Sequence, residues 1–176
     1  MVEDVVRSLG YGTLGSRLKR IGERLQAQTQ EVAAELTETD LPTPHYPVLA
    51  ALDRTGPMSI GDLAKALGQT QPGVTRMINK MKSSGLVEAK QDDNDKRVSK
   101  IKLTQKGKDR VAYFKQELWP TILLAVEDAC SGLNGSFLDQ LAQLEDALAS
   151  APLMTRLPEH PVPDWDHLTG AKETNS

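Results

Sequence analysis

The sequence predicts a mainly α-helical fold with one small β-wing. Two short amphipathic helix patterns meet at Gly68, and a lysine- and arginine-rich pair of strand patterns follows before Gly107. This order of elements is typical of a winged helix-turn-helix, whose second helix is shaped to enter a DNA major groove. Helical patterns on both sides, within residues 1–38 and 109–150, predict a dimerisation lobe built from the N- and C-terminal helices.

The charge distribution supports a polyanion as the partner. From Met58 to Arg110, twelve lysines and arginines stand against six acids, a net charge of +6, although the whole chain of 176 residues carries −3. A basic segment in an otherwise acidic protein is typical of nucleic-acid binding. We therefore expect double-stranded DNA as a partner.

Composition favours a cytoplasmic protein. The first ten residues contain two acids and lack a long apolar run, so no signal peptide is predicted. The longest apolar run, Ile122–Val126, is too short to cross a bilayer, and we expect no membrane partner. A single cysteine, Cys130, excludes an intrachain disulfide.

The first long helix carries a heptad-like apolar seam. Its members are Leu14, Leu18, Ile21 and Leu25, at alternating steps of four and three. The spacing fits either a helix packed on its own domain or a coiled-coil contact between two chains. We expect residues 1–38 to contribute to a homodimer interface.

The DNA-binding lobe is expected to cover residues 39–108. Thr43 is expected to cap a helix whose first position is Pro44. Ser59 is expected to cap the next helix, with Asp62 as its partner in a capping box.

The second helix of the pair and the wing follow. The helix is expected to begin at Thr70 or Gln71 and to end at Gly85. Leu86–Lys90 and residues 97–103 have the pattern of two strands.

A long helix should then begin at the cap Thr104, with a kink or break at Trp119–Pro120. A last helix carries a second leucine stripe, formed by Leu138, Leu141, Leu144 and Leu148. Residues 109–150 are therefore assigned to the dimerisation lobe, and residues 151–176, with four prolines, to an irregular tail.

The helix after Thr70 has the two faces that a recognition helix needs. Apolar residues fall on one side, and polar and basic residues fall on the other. The DNA-binding candidates on it are Gln71, Pro72, Thr75, Arg76, Asn79, Lys80 and Lys82. Arg76 can bond guanine and Asn79 adenine in a bidentate manner, and Gln71, Thr75 and Lys82 suit phosphates. The alternative is an ordinary solvated helix face.

The wing tip, residues 92–97, is rich in aspartate and superficially similar to a calcium loop. An EF-hand loop starting at Asp92 would need glycine at Arg97 and glutamate at Leu103, so no metal site is predicted. We expect Asp95 to brace Arg97, which would reach a minor groove. Lys100, on the returning strand, completes the DNA-binding candidates.

The run LAKALGQTQPGVTRMINKMKSSGLVEAKQDDNDKRVSKIKLTQKGK resembles the DNA-binding lobe of MarR-type regulators. The specific marks are Thr75-Arg76, Gly85-Leu86-Val87, Asp95-Lys96-Arg97 and Leu103-Thr104-Gln105-Lys106-Gly107. The similarity covers about residues 12–150. It implies an obligate homodimer on a pseudo-palindromic operator, usually with repression relieved by a small ligand or by oxidation. Redox-sensing members place a cysteine near the start of the first helix, and this chain has none there.

The sequence also bears on other functions. None of the usual hydrolase or nucleotide-binding motifs is present, so no enzyme activity and no cofactor are expected. A winged helix used only for protein contacts is the remaining alternative. In the resembled family the helix after Pro44 borders the ligand cavity, so His45 and Tyr46 are candidate residues for a small-molecule effector, and Arg17 of the first helix is a third. The alternative for His45 is a local hydrogen bond within the chain.

Overall fold

The computed structural model describes residues 2–37, 41–91 and 99–157. The helices are α1 (Val5–Ser8), α2 (Leu14–Leu36), α3 (Tyr46–Thr55), α4 (Ile60–Ala66), α5 (Gln71–Ser83), α6 (Gln105–Tyr113), α7 (Trp119–Cys130) and α8 (Phe137–Ser150). The strands are β1 (Met58–Ser59), β2 (Val87–Gln91) and β3 (Ser99–Leu103). Short 3₁₀ turns at Gly10–Thr13, Thr43–His45 and Leu153–Arg156 and a π-helical segment, Phe114–Leu118, complete the described elements. The predicted fold class, mainly helical with a small wing, is confirmed.

Contacts divide the chain into two compact units. One combines the described residues up to Arg24 with those from Val126 onward, and the other runs from Leu25 to Ala125. The helix-turn-helix and the wing strands lie within the second unit. The domain boundaries expected from the sequence remain predictions. No helix in the described ranges is both long and apolar enough to cross a membrane.

The wing strands are part of a three-stranded antiparallel sheet. Strand β3 lies in the middle, between β1 and β2. Val87 is paired with Leu103 across β2 and β3, and Met58 is paired with Ile101 across β1 and β3. The residue patterns predict β2 and β3 but not the two-residue strand β1, which has no periodicity of its own.

The core of the second unit joins the helices to the sheet. Its fully buried side chains include Leu49 of α3, Leu63 of α4, Ile78 of α5 and Ile101 of β3. Phe114 is also fully buried and anchors an aromatic cluster, with ring centroids 5.0 Å from Tyr46 and 6.0 Å from Trp119. The same residues that fix the recognition helix therefore fix the wing.

Helix caps agree closely with the sequence. The hydroxyl oxygens of Ser59, Thr70 and Thr104 each accept a hydrogen bond from the backbone N–H three residues on. The capping box at Ser59 differs in detail, because the Asp62 carboxylate accepts from the Ser59 hydroxyl, at 2.7 Å.

The expected cap at Thr43 is wrong. Thr43 is buried and lies in a 3₁₀ turn, and the α-helix begins three residues later at Tyr46, with Pro47 in its first turn. The Thr43 hydroxyl donates to the carbonyl of Gln26, and its backbone N–H donates to Oε1 of Gln30. These bonds hold Thr43 against α2, and its hydroxyl acts as a donor there rather than as the acceptor of a cap.

The helix is continuous through Trp119–Pro120, so the predicted break does not occur there, and the irregularity is instead a π-helical segment just before these residues. Proline has no N–H, and its ring clashes with the carbonyl four residues earlier. The chain absorbs this through Phe114–Leu118, where the helix widens before α7 begins at Trp119.

Candidate nucleic-acid interface

Helix α5 has the two-sided character expected of a recognition helix. Val74, Ile78 and Met81 are fully buried, and Met77 packs partly against the same core. Six of the predicted DNA-binding residues on this helix are exposed: Gln71, Pro72, Arg76, Asn79, Lys80 and Lys82. Thr75 is half-buried, and its hydroxyl donates to the Gln71 carbonyl at 2.8 Å. The helix is thus held from behind and presents donors and acceptors outward.

The C-terminal end of α5 is fastened to the start of α6. Gly85 turns the chain with a φ of 71°, a conformation that favours glycine. The Thr104 hydroxyl donates to the Gly85 carbonyl at 2.6 Å, and Lys106 Nζ donates to the Ser84 carbonyl at 2.8 Å. A cation at this end also complements the helix dipole. Lys106 therefore belongs to the support of the recognition helix.

The wing brings basic residues to the same unit. Lys100 lies on β3 opposite Lys90 on β2. Lys102 is ion-paired with Glu88, with 2.8 Å between Nζ and Oε1. The predicted wing-tip residues Asp95 and Arg97 lie outside the described residues.

His45 is buried close to the recognition helix. Its Nδ1 is 3.1 Å from the Pro42 carbonyl, so Nδ1–H donates there and Nε2 is the unprotonated nitrogen. Nε2 is buried and has no partner among the described residues. Burial lowers the pKa of His45, and the positive charge of Lys80 lowers it further. The hydrogen bond to Pro42 acts in the opposite direction and raises it. The imidazole is therefore neutral at neutral pH.

An apolar crevice of about 310 Å³ lies between α2, α3 and α7. Its walls are Thr29, Tyr46, Pro47, Ala50, Trp119, Ile122 and Leu123, and none of these side chains is charged. The Tyr46 hydroxyl is buried without a partner among the described residues, and burial raises its pKa. Of the two effector candidates in this unit, Tyr46 lines the crevice and His45 does not.

The candidate dimer residues are incompletely buried in a single chain. On α2, Leu18, Ile21 and Leu25 are between 37% and 46% exposed. On α8, Leu138 is 77% and Leu148 is 45% exposed. Leu14, Leu141 and Leu144 are half-buried, as is the effector candidate Arg17.

The crevice walls on α7 and the supporting role of Lys106 were not predicted from the sequence. Trp119, Ile122 and Leu123 have the i, i+3, i+4 spacing of one helix face, which could have identified them. The partner of Lys106 is Ser84, 22 residues away at the C-terminal cap of α5, and no local pattern reveals it.

The sequence profile of the MarR family matches residues 39–98. The transcriptional repressor MprA of Escherichia coli is 30% identical over 89 residues, which cover 51% of this chain and 48% of MprA. The chain thus matches about half the length of that relative. YkoM, an HTH-type transcriptional regulator of Bacillus subtilis, is 27% identical over 143 residues, which cover 81% of this chain and 86% of YkoM.

Among solved structures, BpsR of Bordetella bronchiseptica superposes with a TM-score of 0.63 at 25% identity. The alignment covers 78% of this chain and 94% of BpsR, a protein whose DNA binding is regulated by 6-hydroxynicotinic acid.

Proposed function

We propose that this chain, which belongs to the MarR family, is a ligand-responsive repressor that binds a pseudo-palindromic operator as a homodimer. The observation that carries the proposal is the division of helix α5. Three fully buried residues anchor it, while Arg76 and Asn79 are exposed on its outer face.

The candidate DNA contacts divide into base readers and positioning contacts. Arg76 reads guanine through O6 and N7, and Asn79 reads adenine through N6 and N7. Gln71, Thr75 and Lys82 contact phosphates and set the register. For Arg97 the proposed contact is the neighbouring minor groove, where the negative potential is strong, and Asp95 is its proposed partner.

Homodimerisation is supported by the apolar faces of α2 and α8. Large leucines that are 37% to 77% exposed cost free energy in water, and a second copy would cover them. A dimer also supplies the second recognition helix that a pseudo-palindromic site requires, with half-sites about one helical turn, roughly 34 Å, apart.

The effector is proposed to enter the crevice beside Tyr46. Its uncharged walls suit a compact, largely apolar ligand, and a group that reached the Tyr46 hydroxyl would give that atom a partner. Such a ligand acts only through its affinity difference between the DNA-binding and released states. A complete switch needs a difference of about 10⁴-fold.

The test is the affinity of point variants for a duplex selected from the source genome. Arg76→Ala should weaken binding by about 1–3 kcal/mol and relax the preference at one position per half-site. Arg97→Ala should weaken binding most at A·T-rich flanks and lower the salt slope by about one unit per wing. Arg54→Ala is a matched control, because Arg54 is exposed on α3, outside the recognition helix and the wing.

The alternative function is a winged-helix protein-interaction module without specific DNA binding. The basic character of Met58–Arg110 favours DNA over it, since a protein-only module has no need of this charge. If Arg76→Ala and Arg97→Ala both bind the selected duplex as tightly as wild type, the DNA-reading proposal is wrong and the module is favoured.

A further inference from the structure

A second cavity, which we call the polar cleft, lies between the last turn of α2 and one side of α6. Its volume is about 840 Å³, and all of its walls belong to the unit from Leu25 to Ala125. The α2 wall is formed by residues 34–37. The α6 wall is formed by four side chains spaced three or four residues apart, and therefore on one side of the helix: Lys106, Asp109, Arg110 and Tyr113. The polar cleft shares no residue with the apolar crevice described above.

The polar cleft brings charges of both signs together without pairing them. Glu35 lies on the α2 wall, and Lys106 and Arg110 lie on the α6 wall. None of the ion pairs found within residues 2–37, 41–91 and 99–157 joins two charged residues of this cleft. Asp109, the second acid, accepts a hydrogen bond from Gln105 Nε2 at 2.8 Å. An acid on one wall and two bases on the other are thus available to a ligand that carries both charges.

The two bases are positioned by contacts within the unit. Arg110 is half-buried, and its guanidinium carbon lies 5.7 Å from the centre of the Phe114 ring, whose face attracts a cation. Lys106 donates to the Ser84 carbonyl at 2.8 Å. A guanidinium group has five N–H donors and an ammonium group has three, so both side chains keep donors for a carboxylate.

The polar cleft also has an apolar part. Leu36 is 42% exposed, and Tyr113 is 40% exposed. The Tyr113 hydroxyl donates to the Leu36 carbonyl at 3.3 Å, which holds the ring beside the end of α2. Covering these two side chains with an apolar group would remove their surface from water and so favour binding.

We propose that the polar cleft binds a free amino acid with an apolar side chain. The carboxylate of the ligand accepts hydrogen bonds from Arg110 and Lys106, and its ammonium group donates to the Glu35 carboxylate. Its side chain packs on Leu36 and Tyr113. Both charges of the ligand therefore meet the opposite charge, each on a different wall.

Lys106 connects the polar cleft to the recognition helix. A carboxylate at Lys106 draws the ammonium group away from the Ser84 carbonyl, since a charged acceptor forms the stronger hydrogen bond. Occupancy of the cleft should therefore loosen the C-terminal end of α5 and weaken DNA binding. This coupling rests on the proposed function, whereas binding of the amino acid does not.

The experiment is isothermal titration calorimetry of the full chain with the L forms of leucine, methionine and phenylalanine. The N-acetyl derivative of each lacks the ammonium group, and the amide of each lacks the carboxylate. Each derivative should bind about tenfold more weakly than its parent amino acid, because it loses one charge-assisted contact. If none of the three amino acids binds with a Kd of about 1 mM or tighter, the proposal is wrong.

Single variants assign each charge of the ligand to its wall. Glu35→Gln should bind the amino acid about tenfold more weakly and should no longer discriminate against the N-acetyl derivative. Arg110→Gln should lose discrimination against the amide in the same way. If Arg110→Gln does not fold, Arg110→Lys, which keeps the charge but not the planar fork, should weaken binding of the amino acid but not of its amide.

Glu31→Gln and Lys108→Gln are the matched controls, because both residues are exposed on the same two helices outside the polar cleft. Both controls should bind the amino acid as wild type does. If Glu35→Gln also binds and discriminates as wild type does, the ligand lies elsewhere and the assignment to the polar cleft is overturned. The uncharged walls of the apolar crevice would give that result.

Fluorescence anisotropy of the selected duplex, with and without the amino acid, tests the coupling. We expect the amino acid to weaken DNA binding by wild type and to have a smaller effect on Glu35→Gln at the same ligand concentration. Unchanged DNA affinity in the presence of bound amino acid would refute the coupling through Lys106. Failure of wild type to bind the duplex without ligand would instead refute the proposed function.

Discussion

Replacing Gly107 with alanine should destabilise the unit that carries the recognition helix. An added Cβ would lie 2.1 Å from the Leu86 carbonyl oxygen and 3.1 Å from its carbon, whereas ordinary contact begins at 3.4 Å. The obstacle is backbone, so it cannot rotate away. That carbonyl also accepts a hydrogen bond from the Thr104 N–H, at 3.1 Å, and lies 3.2 Å from the Thr104 hydroxyl, whose single proton it shares with the nearer Gly85 carbonyl.

The cost follows from these contacts. Overpacking of this kind costs about 1–3 kcal/mol, and a displaced carbonyl weakens hydrogen bonds worth about 1 kcal/mol each. We expect a total of about 2–4 kcal/mol. For a chain of this size that corresponds to a fall in Tm of roughly 4–16 °C.

The assay is thermal unfolding by circular dichroism at one fixed chain concentration, because the proposed dimerisation would make Tm concentration-dependent. Gly15→Ala is the control, since Gly15 is also helical and an added Cβ there meets nothing within 4 Å. If Gly107→Ala unfolds within about 1 °C of wild type, the close approach to Leu86 does not constrain this position.

Three further outcomes are expected. Substituting Glu for Leu18 and Ile21 together should give monomer or unfolded chain, and a wild-type monomer in sedimentation at micromolar concentration would contradict the dimer. Burial lowers the pKa of His45 in the folded state, so on acidification the unfolded chain takes up the proton first and the free energy of unfolding decreases as the pH decreases below about 6.5. His45→Gln should make this decrease smaller. Equal pH dependence of the urea midpoints of the two proteins would contradict this. Lys106→Met should weaken DNA binding by loosening the Ser84 end of α5 yet preserve the salt slope, and a slope lowered by about 0.9 per subunit would identify Lys106 as a phosphate contact.

Local chemistry explains which parts of the fold were predictable. The caps at Ser59, Thr70 and Thr104 each depend on a side chain and an N–H three residues on. The buried stripe of α5 depends only on helical periodicity. Such features are complete within a few residues and can therefore be predicted from the sequence.

Features that depend on distant partners were beyond a local pattern. Thr43 resembles a helix cap, but Gln26 and Gln30 of α2 determine its hydrogen bonds. The candidate DNA contacts on α5 could be named from charge and spacing. The lysines that bind partners inside the chain could not be identified in this way. Lys102 meets Glu88, and Lys106 meets Ser84, only in the folded structure.

Strand β1 has a consequence for how the unit melts. A two-stranded hairpin alone is marginally stable in water, but Met58 and Ser59 pair with Ile101 and Lys100, so β3 is bonded on both of its edges. Ser59 also caps α4. The base of the wing therefore belongs to the same cooperative folding unit as the helices, and its amides should exchange with deuterium only when that whole unit opens. Heating would then abolish the wing and the recognition helix in a single step, without an intermediate in which the wing alone has frayed.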